Sequence, residues 1–289
     1  MKIIVWGHKL HTHTHSYIHS SYYNTFKYLG HEVYWIDIDD RVEESFFKNS
    51  VVFSEGRNFE TIPVIKGNKY ITHHADENFF HTNDIPEESV LRITNYIEES
   101  EKFERINDLA HYDSSNRTLY QSWATNLLPG QIEPDSVYSI GEEHQNKIDY
   151  VGSLYEESLT EAFDLARELK KLNFFFALHR NMSDDQNQDI IRKTLVSLDI
   201  RARHHKEVGY IPCRIFKNIS YGRVTGTNSK NVKRIFGDHV VYDDNVITLF
   251  YRLLLEENTT SKQKRKDSVK FIKDNHTFVN RAENILKLF

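Results

Sequence analysis

The fold is indicated first by residues 1–38, MKIIVWGHKLHTHTHSYIHSSYYNTFKYLGHEVYWIDI. The apolar run Ile3–Trp6 is typical of a buried strand, and a polar loop follows it. Apolar and aromatic residues then recur at helical spacing over Ser16–Leu29, and Gly30 suits the left-handed residue that ends many helices. A second strand is predicted at Val33–Ile38. A strand, a helix and a strand joined by short loops predict a parallel α/β sheet with right-handed crossovers.

The rest of the chain continues this alternation. Strands are predicted at Val51–Phe53 and Tyr70–Thr72. The hydrophobic periodicity of the middle of the chain does not determine its secondary structure. A strand near Leu91–Tyr96 followed by a helix over Glu101–His111 is one possible arrangement. From Tyr150 onward strands and helices alternate again, and the last 29 residues are predicted to be helical. Two successive α/β halves are the simplest organisation of this pattern.

Composition excludes several classes of protein. Hydrophobic residues make up 39% of the 289 residues, so the chain can bury a core and is not a disordered tail. The net charge of −5 argues against a strongly basic nucleic-acid surface, and 11 glycines argue against a glycine-rich phosphate loop. Cys213 is the single cysteine, which excludes an intramolecular disulfide and a cysteine zinc cluster. No stretch reaches the ~20 apolar residues of a transmembrane helix, so we expect a cytoplasmic protein.

The loop after the first strand carries four histidines within eight residues, His8, His11, His13 and His15. A neutral imidazole there could accept the proton of a hydroxyl group, since its pKa lies near working pH. Alternate histidines of an extended chain point the same way and could bind a divalent metal, as in the His-x-His opening of metal-dependent phosphoesterases and amidohydrolases. The third interpretation is a surface loop whose histidines only bond backbone groups.

A second polar group follows another predicted strand of the first half. It contains His73, His74 and Asp76. Asp76 could orient a histidine base or bind an acceptor hydroxyl, but it would also serve as the N-cap of a following helix. The carboxyl ends of parallel strands share one sheet edge, so this loop is expected to face the histidine loop.

The second half supplies candidate anion ligands. A helix is predicted over Cys213–Tyr221, with Pro212 before it and Gly222 after it. Arg214, Lys217 and Tyr221 share one face of that helix at spacings of three and four. Two cations near a helix start could grip a diphosphate, although ordinary surface cations show the same pattern.

Residues of two neighbouring loops could also bind the diphosphate. Thr227, Asn228 and Ser229 offer hydroxyls and free amides at a strand-to-helix turn, or Asn228 simply caps the helix. Arg180 follows the apolar strand Phe174–Leu178 and could bind phosphate, stack on a base, or pair with a nearby aspartate.

Several stretches together resemble a known family. They are Lys2–Trp6 with its polar loop, Ser122–Pro129, Tyr150–Leu154, and Pro212–Gly222 followed by Thr227 and Asn228. In this order they are similar to GT-B glycosyltransferases that act on nucleotide sugars, in particular to small bacterial and large-virus members. The order spans nearly the whole chain, and no motif is a fingerprint by itself.

The resemblance implies an α/β fold of two Rossmann-like domains that face each other across a cleft. We expect an acceptor-binding domain over 1–145, a nucleotide-sugar-binding domain over 146–270, and a helix in 271–289 that crosses back to the first domain. Many retaining members carry two glutamates eight residues apart, where this chain has Gly209 and Lys217. A cation in that place is more typical of inverting enzymes, so the resemblance implies an inverting, metal-independent transfer.

The predicted enzyme is a glycosyltransferase that moves a hexosyl, pentosyl or deoxyhexosyl group to a glycan hydroxyl. Its expected partners are a nucleotide sugar and a glycan or glycoconjugate acceptor, without nucleic acid, metal or further cofactor. The catalytic residues are expected to be His13, His15 and Asp76. The acceptor-binding residues are expected to be His11, His73 and His74. The nucleotide and diphosphate ligands are expected to be Arg180, Arg214, Lys217, Ser220, Tyr221, Thr227, Asn228 and Ser229.

Two other functions are compatible with the residues. The first is a metal-dependent hydrolase that uses the histidine loop with His73, His74, His204 and His205. The second is a non-catalytic module that binds a nucleotide sugar or a glycan. Bound metal would indicate the hydrolase, and donor binding without turnover would indicate the module.

Overall fold

The computed structural model describes residues 1–9, 14–55, 61–73, 85–100, 103–107, 109–135, 144–155 and 157–289. These residues form two compact units. The first unit combines Met1–Ser122 with Phe278–Phe289, and the second spans Trp123–Thr277.

The described part of the first unit is built on an eight-stranded sheet with the order β2-β1-β3-β4-β5-β8-β7-β6. The six strands from β2 to β8 in this order pair in parallel, and β7 and β6 complete the sheet in antiparallel pairing. The strands are β1 (Lys2–Trp6), β2 (Glu32–Ile36), β3 (Val51–Glu55), β4 (Lys69–His73), β5 (Val90–Thr94), β6 (Glu104–Asn107), β7 (Ala110–Asp113) and β8 (Thr118–Gln121).

Two helices pack together in this unit, α1 (Thr14–Tyr28) and, from the end of the chain, α9 (Phe278–Leu286). The rings of Tyr22 and Phe278 meet edge to face at 4.9 Å. Arg281 of α9 is 1% exposed, and its guanidinium donates to the backbone oxygen of Ser122 at 2.8 Å. These contacts fix residues 278–289 to the first unit, although 155 residues of the second unit precede them.

The helix considered over Glu101–His111 is wrong for the residues described there. They form the hairpin of β6 and β7, with Glu104 opposite Tyr112 and Arg105 opposite His111. All four residues of β6 are exposed, as expected of an edge strand whose charged side chains face water. Pairing with β7 overrides the local helical composition, because strand propensity depends on neighbours far along the chain.

The second unit is a parallel α/β structure. Its strands are β9 (Lys147–Val151), β10 (Phe175–His179), β11 (Ser197–Asp199), β12 (Thr225–Thr227) and β13 (Val241–Tyr242). Its helices are α2 (Glu157–Lys171), α3 (Asp184–Lys193), α4 (Arg203–Glu207), α5 (Cys213–Ser220), α6 (Lys230–Phe236), α7 (Val246–Thr259) and α8 (Lys262–Asn275). Short 3-10 helices add Glu44–Phe47, Glu87–Ser89, Ile97–Ser100, Pro129–Gln131 and Gly237–His239 to the two units.

The strands of the second unit lie in the order β10-β9 and β11-β12-β13. The amide of Leu195, just before β11, donates to the oxygen of Lys147 at 3.0 Å and brings β11 beside β9. From β9 the chain continues to β10 on one side, and from β11 it continues to β12 and β13 on the other side. The loops after β9 and β11 therefore diverge. In open parallel sheets this divergence is where ligands bind.

The core of the second unit is apolar and closely packed. Ile148, Leu198 and Leu249 are at most 2% exposed, together with Leu165 and Leu253. The α/β class is thus confirmed, whereas the arrangement of two Rossmann-like domains facing across a cleft stays a prediction. Among the described residues no helix is both long and apolar enough to cross a membrane.

Candidate functional site

Arg214 is anchored at the end of β9. It lies in the first turn of α5, which begins at Cys213 directly after the extended Pro212. Its Nε donates to the backbone oxygen of Val151 at 2.8 Å. Its guanidinium also bonds the Tyr150 hydroxyl and lies over that ring, 4.1 Å from the centroid. These contacts hold the guanidinium at the point where the strand ends.

Gly152 makes this placement possible. Its φ of +126° is a conformation that side chains rarely adopt. A Cβ built on Gly152 would come within 2.2 Å of Arg214 Nη2. The guanidinium therefore occupies the space that any other residue at position 152 would fill.

A buried carboxylate joins two arginines beside this loop. Asp199 ends β11 and is fully buried, and its Oδ1 forms an ion pair with Arg201, whose Nε lies 2.8 Å away. Arg214 Nη1 lies 3.4 Å from the same oxygen. Since two guanidinium charges meet one carboxylate, this trio carries a net positive charge at the carboxyl ends of β9 and β11.

His205 responds to that positive charge. It lies on α4, and its ring stacks near Tyr210 with centroids 5.3 Å apart. Burial lowers the pKa of His205 to about 4, and the charges of Arg201 and Arg214 act in the same direction. The imidazole is thus neutral at pH 7 and adds no positive charge to the trio.

Lys217 adds a third cation one turn along α5. Its side chain is partly buried, and burial lowers the pKa of its ammonium, with Arg214 acting in the same direction and Asp184 opposing it. The predicted pairing of Arg214 and Lys217 on one helix face therefore places two cations within one turn of α5.

The turn after β12 forms hydrogen bonds with Asp199 and Arg201. Thr227 Oγ1 donates to Asp199 Oδ2 at 3.0 Å, and the Ser229 amide donates to Thr227 Oγ1 at 3.1 Å. Asn228 Oδ1 accepts from the Arg201 amide at 2.7 Å. Thr227 and Asn228 thus position Asp199 and Arg201. The Ser229 hydroxyl is 1% exposed and has no hydrogen-bond partner within the described ranges.

Arg180 holds the loop after β9 from its other side. Its Nη2 donates to the Leu154 oxygen at 3.2 Å, and its guanidinium lies 5.8 Å from the Tyr155 ring centroid. Arg180 and Arg214 therefore share the carbonyl oxygens of one loop, which places both at the same sheet edge.

Ser220 and Tyr221 lie at the opposite end of α5. At 1.5 Å per residue they are about 9 Å along the helix from Arg214. The Ser220 hydroxyl bonds Thr125 Oγ1 at 2.8 Å, and the Tyr221 hydroxyl donates to Asn126 Oδ1 at 2.7 Å. Burial raises the pKa of Tyr221. These two predicted diphosphate ligands are engaged with residues 125–126, and the structure does not bring them to the arginines.

A second cluster lies at the carboxyl ends of β1, β3 and β4 in the first unit. His8 follows β1, Glu55 ends β3, His73 ends β4, and His15 and His19 lie on the first two turns of α1. Neighbouring strands of a parallel sheet bring these positions together although 65 residues separate the first from the last.

Glu55 is the centre of this cluster. Its carboxylate is fully buried, and its Oε2 lies 3.1 Å from His8 Nε2 and 3.6 Å from His15 Nδ1. His19 Nδ1 donates to the Gly7 oxygen at 3.0 Å, which leaves its Nε2 to accept from His73 Nε2 at 3.3 Å when both rings are neutral.

The remaining predicted residues of the first half lie outside the described residues. They are His11, His13, His74 and Asp76. Of the predicted catalytic and acceptor residues, the structure brings His15 and His73 together, with ring centroids 5.6 Å apart. His204 and His205 belong to the second unit, whereas His73 belongs to the first.

Three functional candidates were missed from the sequence. Asp199 ends a short strand and Arg201 lies just after it, and this strand was predicted three residues too late, near Ile200–Ala202. The sequence pattern that could have identified them is a pair of opposite charges, two residues apart, directly after an apolar run. Glu55 gave the same kind of signal, a carboxylate at the end of the apolar stretch Val51–Phe53.

The fold is shared with known glycosyltransferases. An alpha-glucosyltransferase in complex with UDP and a 13-mer DNA containing a HMU base has a TM-score of 0.60 and 11% identity, over 100% of this chain and 99% of that chain. An alpha-glucosyltransferase in complex with UDP-glucose and DNA containing an abasic site has a TM-score of 0.61 and 8% identity, over the same shares. A glycosyltransferase from Rickettsia africae ESF-5 has a TM-score of 0.58 and 9% identity, over 99% and 97%.

No protein-family model matches the chain, and no curated protein matches it. The structural similarity therefore rests on the fold, which is that of glycosyltransferases along the whole chain. The predicted resemblance to nucleotide-sugar glycosyltransferases is confirmed at this level.

The prediction that the protein has no nucleic-acid partner is wrong. It rested on the net charge of −5, but structures with this fold are complexes with DNA. A net charge is a sum over the whole surface and does not exclude a local contact with phosphate groups or bases.

Proposed function

We propose that this protein transfers a sugar from a nucleotide diphosphate donor to a hydroxyl group. One observation carries the proposal: Arg201 and Arg214 meet the single buried carboxylate of Asp199 at the diverging ends of β9 and β11. The net positive charge there suits a diphosphate. The fold shared with structures that hold UDP and UDP-glucose supports the same donor class.

The cations would act mainly on the leaving group. Charge develops on the diphosphate as the bond to the sugar breaks, and cations held in place beforehand stabilise that charge. We assign this role to Arg214, Lys217 and Arg201. Because they supply positive charge without a metal, donor binding is proposed to be insensitive to chelators.

Other predicted donor ligands receive more specific roles. We assign Thr227 and Asn228 to positioning Asp199 and Arg201, and we assign the Ser229 hydroxyl to donor contact. Arg180 is proposed to fix the loop after β9. Residues 146–270 are the proposed nucleotide-sugar-binding domain, and residues 1–145 are the proposed acceptor-binding domain.

The acceptor hydroxyl needs a base. The sequence favours His13 or His15, and His15 Nδ1 lies 3.6 Å from the buried Glu55 carboxylate. We therefore propose His13 as the residue that takes the acceptor proton, with Asp76 as its partner. His13→Ala should slow transfer without weakening UDP binding.

The stereochemical outcome is a separate proposal. We propose inversion, because Lys217 and Gly209 stand where many retaining enzymes have glutamates. NMR of the product anomer decides: a β-linked product from an α-linked donor supports inversion. An α-linked product would refute it, and proteins of the same fold carry the name alpha-glucosyltransferase.

The acceptor class follows from the comparison with DNA complexes. We propose a hydroxyl group carried by a DNA base, and duplexes with and without hydroxymethyluracil are the first acceptors to test. Sugar addition to a glycan in place of DNA would refute this acceptor assignment and leave the donor assignment intact.

The test of the donor site is a nucleotide panel. Thermal shift with UDP, GDP, CMP and dTDP identifies the base, and calorimetry then compares wild type with Arg214→Met and Arg201→Met. Both variants should lose at least about tenfold in affinity, because a charged hydrogen bond is worth about 1.5–3 kcal/mol. Arg167→Ala is the matched control, since that arginine is exposed and pairs only with its helix neighbour Asp164 among the described residues.

Three outcomes separate the candidate functions. Binding with UDP release in the presence of acceptor supports the transferase. Binding of UDP-glucose without turnover on any acceptor would instead identify a binding module. Absence of binding to all four nucleotides would refute the donor site.

A further inference from the structure

Three side-chain atoms of the first unit, two from imidazoles and one from a carboxylate, lie close together. Glu55 Oε2 lies 3.1 Å from His8 Nε2 and 3.6 Å from His15 Nδ1, and one ligand atom from each residue lies within 4.8 Å of the others. The three residues come from the end of β1, the start of α1 and the end of β3.

These separations match the edges of a metal coordination shell. Zn²⁺ binds imidazole nitrogen and carboxylate oxygen at about 2.0–2.2 Å, so two ligands in tetrahedral geometry lie about 3.4 Å apart. The two measured distances to Glu55 bracket that value, and the third lies within the bound of 4.8 Å.

The charge of Glu55 supports a cation. The carboxylate is fully buried, and burying a charge is costly unless an opposite charge accompanies it. A divalent ion between the carboxylate and the two rings would provide such a charge.

The surroundings hold the ligand set in place. His8 has a left-handed φ of +62°, which a non-glycine residue keeps only where its surroundings enforce it. The His8 ring packs against the rings of His15 and His19, with centroids 5.1 and 5.0 Å away. His19 is in turn bonded to the Gly7 oxygen. Such outer contacts are what orient ligands in metal sites.

We propose that His8, His15 and Glu55 bind a divalent transition-metal ion of the Zn²⁺ class. Two imidazoles and one carboxylate suit Zn²⁺ and Co²⁺ better than Mg²⁺ or Ca²⁺, which prefer oxygen ligands. Three protein ligands leave a coordination position open for water or a small anion. The ion would join the loop after β1 to β3 and α1. The site goes beyond the proposed transfer reaction and uses none of the donor ligands. It also contains none of His73, His74, His204 and His205, so an ion held by these three residues is compatible with the transferase.

Metal content tests the proposal directly. The full-length protein is stripped with a chelator, dialysed against Zn²⁺, and assayed by plasma mass spectrometry. We expect one Zn²⁺ per chain, and we expect Co²⁺ titration to give the visible absorption of a tetrahedral site. The thermal midpoint of the stripped protein should rise when Zn²⁺ is added. Wild-type protein that retains no metal after dialysis overturns the proposal and leaves the cluster as a hydrogen-bonded imidazole–carboxylate group.

Variants test the ligand assignment. Glu55→Gln and His15→Ala should each lower Zn²⁺ affinity by more than about 100-fold, since even loss of an outer contact costs 10–100-fold. Glu43→Gln and His31→Ala are matched controls outside the cluster and should bind as wild type. Variants that bind Zn²⁺ as tightly as wild type would overturn the assignment. Circular dichroism confirms folding, and UDP calorimetry on the same samples separates this result from failure of the donor site.

Discussion

The substitution Gly152→Ala separates the role of Arg214 placement from general stability. The new methyl group would lie 2.2 Å from Arg214 Nη2 and 3.1 Å from its Cζ. The guanidinium must therefore leave its place on the loop, and its bond to the Val151 oxygen at 2.8 Å is lost. Backbone strain should also lower the free energy of unfolding by about 1–3 kcal/mol, because φ at this position is +126°.

The expected effect on UDP binding follows from the lost contact. A hydrogen bond that involves a charged group is worth about 1.5–3 kcal/mol, and about 1.4 kcal/mol corresponds to a factor of ten. Calorimetry should therefore show UDP affinity reduced by about 10–100-fold in Gly152→Ala. Urea denaturation of the same protein should show the backbone strain.

Gly237→Ala provides the matched control in the same unit. Gly237 also has a positive φ, of +51°, but a Cβ there meets no atom within 4 Å. This variant should lose stability and keep wild-type UDP affinity. UDP binding by Gly152→Ala as tight as that of wild type would contradict this expectation, because donor binding would then not depend on where Arg214 lies.

Three further predictions concern the same unit. Lys217→Ala should abolish transfer and leave the fold intact, whereas Lys230→Ala should change neither; turnover and circular dichroism check this, and an active Lys217→Ala enzyme would contradict it. Asp199→Asn leaves two arginines without their buried carboxylate and should lower the free energy of unfolding by about 3–5 kcal/mol, in contrast to the exposed Asp189→Asn. Burial lowers the pKa of His205 from 6.5 to about 4, so the unfolded chain binds a proton there between these pH values and the folded protein does not. Stability should therefore fall as pH falls from 6.5 to 4, and His205→Gln should show a shallower decline in thermal midpoint; equal slopes would contradict it.

Local sequence signals predicted the elements that carry most of the chemistry. The alternation around Ile3–Trp6 and the helix near Cys213 lie within two residues of the observed elements. Both depend on short-range features, an apolar run before a polar loop and a Pro–Gly pair that brackets a helix. Arg214 and Lys217 were found because helical spacing alone places them on one face.

Contacts between distant strands could not be predicted in the same way. Glu55 meets His8 because β3 pairs with β1, and the sequence gives no order for these strands. The pairing of Arg201 with Asp199 depended on a strand that was predicted three residues too late. The hairpin of β6 and β7 was missed because its edge strand has one apolar residue, Ile106, and therefore no alternation of apolar and polar positions.

Net charge misled the prediction of partners for a similar reason. A total of −5 averages acidic and basic regions that the fold then separates. The trio of Arg201, Asp199 and Arg214 is locally positive although the chain is acidic overall.

Sugar transfer itself is the most direct test of the proposed function. Wild-type protein and Arg214→Met are incubated with UDP-glucose and a hydroxymethyluracil-containing DNA duplex in the presence of a chelator, and acceptor mass and UDP release are measured together. We expect an acceptor heavier by one hexose and an equal amount of UDP with wild type, and at least about tenfold less of both products with Arg214→Met. Equal turnover by both proteins, or no release of UDP from UDP-sugars with any DNA or glycan acceptor, would contradict this expectation.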